Sequence, residues 1–288
     1  MKIIEKKVVS GEQLPRITSM IISSPEVAKK ALPGQFIILM VSEQGERIPL
    51  TVVDTDPDKG TVTIMFQEVG YTTKLLGTLN EGDELHSFVG PLGNPTPIEN
   101  YGKVLIVGGG VGIAEVFPVV KALNKAGCSL YTVLGARSKD LLILKDEIKA
   151  FSHQFYPVTD DGTFGEKGFV TGPLGRILKE DQDFSLVYCV GPLPMMKAVS
   201  ELTRPYSIKT IVCLCTIMID GTGMCGGCRL TEAGQVKFCC VDGPDFDGHL
   251  VDFDELLARG KRFKPQEEQA LQKGSGHKNC RCLDKQGK

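Results

Sequence analysis

The sequence lacks several features that would place it in a common class. Its 33 basic and 35 acidic residues leave a net charge of −2, so no excess of one sign predicts nucleic acid or an anionic membrane as a partner. Residues 1–7 contain no apolar stretch long enough for an export signal. The mostly apolar stretch 104–123 is interrupted by Glu115, Pro118 and Lys121. It therefore predicts a buried strand, a tight turn and a helix, and not a membrane span.

The chain also lacks a recognisable Ser/His/Asp or paired-carboxylate constellation, which argues against acid–base hydrolysis. Its most distinctive feature is a cluster of cysteines. Of ten cysteines, five lie between positions 213 and 239, and Cys240 follows directly. Without an export signal, such clustering indicates metal ligation in a reducing compartment, and we expect a cytoplasmic protein.

The cysteine cluster has the spacing of an iron–sulfur site. Its residues follow the C-x4-C-x2-C…C pattern of a [2Fe–2S] cluster, with aspartate in place of the first cysteine. Four glycines between positions 221 and 227 allow the tight turns that aim several side chains at one point. The predicted ligands are Asp220, Cys225, Cys228 and one of the pair Cys239 and Cys240, of which Cys240 is preferred.

Two other readings of these cysteines remain open. Structural zinc also uses C-x2-C pairs, but normally with four Cys or His ligands, and the only nearby histidine is His249. The thiols could also be reduced or disulfide-linked without a metal. Cys280 and Cys282, in the charged tail, are interpreted as surface thiols without a role.

The hydrophobic pattern changes once along the chain. Residues 1–97 contain short β-forming runs at 36–41, 50–53 and 61–66, separated by Gly, Pro and Asp. Such spacing, with almost no helical periodicity, predicts a small antiparallel β-barrel.

From residue 98 to 215, apolar strands alternate with helices, which predicts a parallel α/β sheet. Residues 216–260 form the iron–sulfur segment with a helix at 253–259. Residues 261–288 are charged, without apolar periodicity, and we expect a loosely ordered tail. The other strands are predicted at 103–107, 130–134, 155–158 and 186–190, and the helices at 116–126 and 142–151.

Two glycine turns predict a nucleotide site. Strand 103–107 runs into the turn at 108–112, whose backbone could approach a pyrophosphate. The dinucleotide fingerprint is incomplete, because Ile113 stands where its last glycine belongs. Strand 186–190 ends in Gly191 and Pro192, again at the carboxyl end of a strand, where open α/β sheets bind ligands.

Taken together, the chain resembles the ferredoxin-reductase-like flavoproteins that serve as electron-transfer subunits. The resemblance covers about residues 1–260. It rests on five motifs: Ile-Pro-Leu-Thr at 48–51, the turn at 108–114, Thr-Asp-Asp-Gly at 159–162, Gly-Pro-Leu-Pro-Met at 191–195, and the cluster segment ending in Asp-Gly-Pro at 242–244.

The resemblance implies FAD in the barrel and NAD(H) or NADP(H) over the α/β sheet. It places FAD against Pro49, Leu50, Thr51, Gly70, Thr72 and Thr73. It places the nicotinamide nucleotide at Gly108, Gly109, Gly110, Gly112, Asp161, Gly191 and Pro192, with Cys189 near the reacting ring. One position departs from the family: Ile48 stands where the flavin-phosphate arginine belongs, and Arg47 is one residue early. The basic turn at residues 135–139 could bind the 2′-phosphate of NADP or have no such role, so it does not decide between NAD and NADP.

Asp220 distinguishes two types within this family. The electron-transfer subunit of dihydroorotate dehydrogenase B carries cysteine at this position. The small subunit of NADH-dependent ferredoxin–NADP oxidoreductase is similar to this chain in carrying aspartate. The resemblance therefore implies a larger redox partner, a glutamate-synthase-like flavoprotein, with ferredoxin reached through the complex. The alternatives are a dihydroorotate dehydrogenase partner or a zinc-stabilised nucleotide-binding regulatory protein.

Overall fold

The computed structural model describes residues 1–11 and 15–276, with side chains up to Gln272. Cys280 and Cys282 lie outside these residues. The described chain forms two antiparallel sheets near the N-terminus, one seven-stranded mixed sheet, and a two-stranded hairpin near the C-terminus. Within this part of the chain, every helix falls short of the length and apolar character that a membrane crossing requires.

The N-terminal strands form two sheets that share one core. One sheet has the order β1-β2-β6-β5 and the other the order β4-β3-β7, with every neighbouring pair antiparallel. The strands are β1 (Ile3–Val8), β2 (Ile17–Ser23), β3 (Phe36–Met40), β4 (Ile48–Thr51), β5 (Asp54–Asp56), β6 (Thr61–Gln67) and β7 (Ser87–Leu92); the helices are α1 (Pro25–Lys30) and α2 (Tyr71–Leu76). Alternate residues of β6 point inward, as Val62, Ile64 and Phe66 pack with Ile37 and Leu39 of β3.

The central sheet alternates strands with helices. Its strand order is β11-β10-β9-β8-β12-β13-β16, parallel except for the last strand. Its elements are β8 (Lys103–Gly109), α3 (Gly112–Lys125), β9 (Ser129–Ala136), α4 (Lys145–Phe151), β10 (Gln154–Thr159), β11 (Glu166–Lys167), α5 (Thr171–Glu180), β12 (Leu186–Val190), α6 (Leu193–Thr203) and β13 (Thr210–Cys213). The chain moves outward from β8 through β9, then returns to its other side at β12. The carboxyl ends of β8 and β12 therefore form a topological switch point.

The C-terminal segment is built into the central sheet. After β13 the chain forms the hairpin β14 (Arg229–Glu232) and β15 (Gln235–Phe238), the turn α7 (Cys239–Asp242), and the strand β16 (Asp245–Asp247). Strand β16 pairs antiparallel with β13, opposing Asp245 to Cys213. The helices α8 (Phe253–Gly260) and α9 (Lys264–Gly276) follow.

Four predicted elements differ from the structure by more than a shift of one or two residues at their ends. The run 50–53 is a crossing between sheets: Val52 donates to the Gln35 carbonyl and Val53 to that of Thr63 in β6. Helix α3 begins directly after the glycine turn, and α4 begins later than predicted because Leu144 has φ 51°. The prediction of a loosely ordered tail was wrong for 264–276, where α9 lies near α2. Its Gln, Glu, Ala and Lys residues are good helix formers even without an apolar stripe.

Candidate functional site

A cleft opens where the β4-β3-β7 sheet meets the central sheet. Its cavity volume is about 200 Å³, and its mouth is open to solvent. All three parts of the chain line it. Its wall residues are Gly34, Phe36, Pro49, Leu50, Thr51, Met65, Phe66, Gln67, Val69, Thr73, Val111, Glu115, Cys213, Leu214, Cys215, Met218 and Pro244.

Four of the residues expected at the flavin line this cleft. Pro49, Leu50 and Thr51 reach it from β4, and Thr73 reaches it from the first turn of α2. The Thr73 hydroxyl accepts hydrogen bonds from the Gly70 and Val69 amides, at 3.0 and 3.2 Å. Gly70 and Thr73 thus cap α2 together.

Two nearby polar groups are directed elsewhere. The Thr72 hydroxyl donates to a carboxylate oxygen of Glu46, so an acidic group lies where the resemblance implies a flavin phosphate. Arg47 is exposed and does not line the cleft; its guanidinium donates to the Ile219 carbonyl at 3.4 Å. Arg47 therefore contacts the cluster segment.

In the glycine turn at the end of β8, two glycines are closely packed and the third faces open space. A Cβ atom on Gly108 would lie 2.9 Å from the Leu134 side chain. A Cβ atom on Gly109 would lie 2.3 Å from the Met195 sulfur. Gly110 has φ +58° and open space where a Cβ would stand. Gly110 is thus the position where a ligand could approach the backbone closely.

Gly112 has a different requirement. A Cβ there would lie 2.7 Å from the Val190 carbonyl oxygen and 2.9 Å from the Gly191 Cα. Sequence reasoning assigned this glycine to pyrophosphate approach, whereas the structure uses it for close packing of α3 against β12. The two turns, at 110–111 and 191–192, therefore meet at the switch point of the sheet.

Asp161 lies further along the same edge, after β10. It is exposed, and its carboxylate accepts from the Thr163 amide at 2.9 Å and hydroxyl at 2.7 Å. These hydrogen bonds hold the pKa of Asp161 below its usual value. The carboxylate is thus fixed and ionised two strands away from the glycine turn.

Cys189 does not reach the cleft. Its side chain is fully buried in the apolar core beneath β12, and burial raises the pKa of its thiol. Because position 189 is inside the sheet, contact with a nicotinamide ring is not possible in this conformation. The assignment of Cys189 as a catalytic residue is withdrawn.

Two cleft residues were missed from the sequence. Glu115 lies in the first turn of α3 and Cys215 directly after β13, and both line the cleft. Burial raises the pKa of Glu115 to about 7, opposed by the Thr51 hydroxyl, and burial raises the pKa of Cys215 to about 12. The position of Glu115, five residues beyond Gly110, was the available signal.

The predicted cluster residues lie on a glycine-rich loop that packs against the β4-β3-β7 sheet. Gly221, Gly223 and Gly226 all have positive φ. A Cβ on Gly221 would lie 2.7 Å from Leu92 and 2.9 Å from Ile38, so the loop approaches β7 and β3 closely. These glycines are needed for both the turns and the packing.

Asp220 is held inside this loop. Its carboxylate oxygens accept from the Thr222 amide at 2.9 Å and the Cys225 amide at 2.7 Å. These bonds, led by that from Thr222, hold the pKa of Asp220 below its usual value. Each oxygen retains a lone pair beside the Cys225 side chain.

The two adjacent cysteines face different neighbours. The Cys240 sulfur lies 3.3 Å from that of Cys228, whereas the buried Cys239 thiol donates to the Leu214 carbonyl at 2.9 Å. Cys240 is thus paired with a predicted ligand, and Cys239 is turned toward the cleft wall. His249 is engaged elsewhere, with its ring nitrogen 2.9 Å from the Thr203 hydroxyl.

The donor set suits an iron–sulfur cluster, because three of its four predicted ligands are soft thiolates. Among the described residues, no three His, Cys, Asp or Glu side chains are grouped to hold one ion. Two thiolates at ~2.3 Å from one tetrahedral metal lie roughly 3.8 Å apart, close to the spacing of Cys228 and Cys240. A [2Fe–2S] cluster needs two protein ligands per iron, which the pairs Cys228–Cys240 and Asp220–Cys225 can supply.

Comparisons with known proteins identify two domains in this chain. Residues 216–252 match the iron–sulfur cluster binding domain of dihydroorotate dehydrogenase B, and residues 106–201 match the oxidoreductase NAD-binding domain. A dihydroorotate dehydrogenase B (NAD(+)) electron transfer subunit homolog from Thermotoga maritima is 51% identical, over 86% of this chain and 87% of the relative.

Solved structures show the same relationship. A chain in the structure of NADH-dependent reduced ferredoxin-NADP oxidoreductase, studied for flavin-based electron bifurcation, is 46% identical. It has a TM-score of 0.88 and covers 94% of this chain and 96% of its own length. A ferredoxin reductase in carbazole 1,9a-dioxygenase shares the fold at 16% identity, with a TM-score of 0.60 and coverage of 72% and 65%.

The fold and the two matched domains define an oxidoreductase of the ferredoxin-reductase-like class, with NAD-binding and iron–sulfur domains. The chain belongs to the family of dihydroorotate dehydrogenase B electron-transfer subunits and their homologues. The expected family and the electron-transfer role are confirmed. The domains likewise support FAD, an iron–sulfur cluster and NAD(P)H as the cofactors.

Proposed function

We propose that this chain is the NAD(H)-linked small subunit of an NADH-dependent ferredoxin–NADP oxidoreductase complex. The observation that carries the proposal is Asp220, at the first ligand position of the cluster loop, with its carboxylate beside Cys225. The similarity over 94% of the chain to a subunit of such a complex supports it.

FAD would occupy the cleft, and the nicotinamide nucleotide would lie over the switch point. When bound, FAD supplies the group that exchanges a hydride with nicotinamide and single electrons with the cluster. Pro49, Leu50 and Thr51 would support its ring system. Gly110 would leave room for the pyrophosphate, while Gly191 and Pro192 close the opposite side.

The ligands proposed for the cluster are Asp220, Cys225, Cys228 and Cys240. The 3.3 Å approach of the Cys228 and Cys240 sulfurs supports Cys240 over Cys239 as the fourth ligand. The cluster segment contributes Cys215, Met218 and Pro244 to the cleft wall. The cluster segment therefore borders the site proposed for FAD, as electron transfer between FAD and cluster would require.

The partner is proposed to bind around the cluster. Four apolar side chains of the cluster segment are exposed there, and we call them the cluster face: Ile217, Ile219, Met224 and Val241. Met224 is 88% exposed. Together with the other three side chains it forms an exposed apolar surface of the kind that another protein chain covers. A glutamate-synthase-like flavoprotein is the proposed occupant, and ferredoxin would react through it.

We assign the complex to the cytoplasm, because eight cysteines of the described residues are free thiols. Neither nucleic acid nor a membrane is part of the proposal. A second candidate function is electron transfer for an NAD-dependent dihydroorotate dehydrogenase. The name of the Thermotoga maritima relative and the matched cluster domain favour it.

Anaerobic purification tests the cofactor assignment first. Flavin absorption bands, a thiolate-to-iron shoulder and two irons per chain are expected. A colourless protein with one zinc ion would instead support the zinc-stabilised regulatory protein. The purified subunit is then mixed with each candidate partner, and NADH oxidation coupled to ferredoxin and NADP is compared with NADH formation from dihydroorotate. Coupling only to dihydroorotate would overturn the proposal.

A further inference from the structure

Glu115 connects the two halves of the cleft. It belongs to α3, which follows the glycine turn, yet its carboxylate interacts with Thr51 of β4 on the opposite wall. The side chain is half-buried, and it lines the cleft proposed for FAD. A bound ring system would cover it further.

The rest of the cleft wall is poor in groups that exchange protons. Glu115 is the only carboxylate among the residues that line it. The other titratable side chains are the thiols of Cys213 and Cys215, and these are also the ionisable groups that face Glu115 from neighbouring elements.

The reaction moves protons as well as electrons through this place. A hydride consists of two electrons and one proton. When both electrons leave singly to iron–sulfur centres, which take electrons without protons, one proton remains behind for every NADH oxidised. In the opposite direction, two electrons arrive singly and one proton must be supplied to complete the hydride.

We propose that Glu115 takes up one proton from solvent when the flavin proposed for this cleft is reduced, and gives it up when the electrons leave. This inference rests on the proposed position of FAD. The Glu115 carboxylate gains a solvent proton as the O–H of a carboxylic acid and releases it to solvent once the electrons have left, in addition to the one proton that the hydride itself carries.

The acid strengths of the three groups agree with this role. Burial raises the pKa of Glu115 to about 7, with the Thr51 hydroxyl opposing the shift. Burial raises the pKa of the Cys215 thiol to about 12, and burial also raises the pKa of the Cys213 thiol well above its usual value. The thiols therefore stay protonated and cannot accept a proton at neutral pH, whereas Glu115 can do so.

The test compares the FAD-loaded wild-type protein with Glu115→Gln, which keeps the size and polarity of the side chain. The potential of the bound flavin is measured by spectroelectrochemistry as a function of pH. We expect the wild-type potential to fall more steeply above about pH 7, where Glu115 becomes ionised before reduction and gains a proton on reduction. In Glu115→Gln this steepening should be lost.

Asp245→Asn is the matched control. Asp245 is a second buried carboxyl, with its pKa raised to about 6 by burial, but it does not line the cleft. We expect the control to keep the wild-type steepening. Steepening that survives in Glu115→Gln, or disappears in Asp245→Asn alone, would overturn the assignment.

Infrared difference spectroscopy provides a second readout. It can be made on the wild-type protein alone, so it still tests the proposal if Glu115→Gln loses FAD. Reduction at about pH 8 should produce a protonated-carboxyl band, absent from Glu115→Gln where that variant holds flavin. A wild-type spectrum without the band overturns the role of Glu115. If the wild-type protein binds no FAD, or NADH does not reduce it, the proposed function itself fails, so the two failures are distinguishable.

Discussion

At the residue scale, Asp220 has two possible roles that substitution can separate. As an iron ligand it supplies a hard oxygen donor; as a turn residue it only accepts from the Thr222 and Cys225 amides. If it is a ligand, Asp220→Cys should keep the cluster with an altered potential, because ligand identity and charge set that potential. Asp220→Ala should give a labile or absent cluster. Electron paramagnetic resonance and a redox titration of the reduced variants measure both effects.

Asp220→Asn serves as a partial control for the turn, since its single amide oxygen can keep one of the two hydrogen bonds from the Thr222 and Cys225 amides. An Asp220→Ala protein with the wild-type signal and potential would exclude ligation. It would also remove the main reason for preferring the ferredoxin–NADP oxidoreductase complex.

The adjacent cysteines 239 and 240 provide the next prediction. Cys240→Ser should remove iron while FAD stays bound, because the Cys240 sulfur is the one beside Cys228. Cys239→Ser should retain two irons per chain, since a serine hydroxyl can replace the thiol as donor to the Leu214 carbonyl. Iron analysis of both purified variants decides the matter, and a reversal of the two results would make Cys239 the ligand.

At the scale of secondary-structure elements, the β8–α3 turn separates ligand approach from packing. Gly110→Ala should weaken NADH binding about tenfold, because its methyl group enters the space left for the pyrophosphate and one charged hydrogen bond is worth about 1.5 kcal/mol or more. Flavin reduction by dithionite should be normal. Stopped-flow reduction by NADH gives the apparent affinity.

Gly102→Ala is the matched control for Gly110→Ala. It also has positive φ and open space around a Cβ, but it precedes the amino end of β8. Both variants should bear a similar backbone strain of about 1 kcal/mol. Equal NADH affinities in the two variants would show that the turn has no ligand role.

The element boundaries show what sequence patterns could predict. The central strands were predicted because β8 and β12 are continuous apolar runs, buried on both faces. The run 50–53 looked like one strand because composition cannot reveal that Val52 and Val53 bond to different sheets. The cluster residues could be predicted because spacing encodes ligation. Cys215 could not, because its place in the cleft depends on which wall faces inward, and Glu115 had only its position shortly after Gly110 as a signal.

At the scale of the whole molecule, a buried network joins the three parts of the chain. The Thr96 hydroxyl donates to Asp245 at 2.6 Å, and the Tyr188 hydroxyl donates to the other oxygen of the same carboxylate at 3.0 Å. Thr96 precedes the central sheet, Tyr188 lies in β12, and Asp245 begins β16. Burial raises the pKa of Asp245 from 3.8 to about 6 despite these bonds.

This network predicts a pH dependence of stability. Between about pH 4 and pH 6 the folded protein holds the Asp245 proton that the unfolded chain has lost, so unfolding becomes easier as the pH rises through this range. Asp245 should contribute a fall of about 3 kcal/mol in the free energy of unfolding. Denaturant unfolding of the wild-type protein and Asp245→Asn across this range isolates the contribution. Parallel profiles for both proteins would contradict it.

Partner binding is also a property of the whole molecule. Met224→Asp should weaken association with the larger subunit, because a charge would be buried at the centre of the cluster face. Ile4→Asp is a control of similar character, since Ile4 is exposed on β1 at the edge of the other N-terminal sheet. Analytical ultracentrifugation of each variant with the partner measures the effect. Equal weakening by both variants would place the interface elsewhere.

The pairing of β13 with β16 fastens both ends of the cluster-bearing loop. Residues 214–244 leave the sheet after Cys213 and return opposite it at Asp245. The hydrogen bonds between β13 and β16, and not the metal, therefore offset the entropy lost when this loop closes. We therefore expect metal insertion to be a late, local event in maturation, in contrast to small domains that fold only with their metal: iron would be added to a folded scaffold, and its oxidative loss would leave a protein that can be repaired.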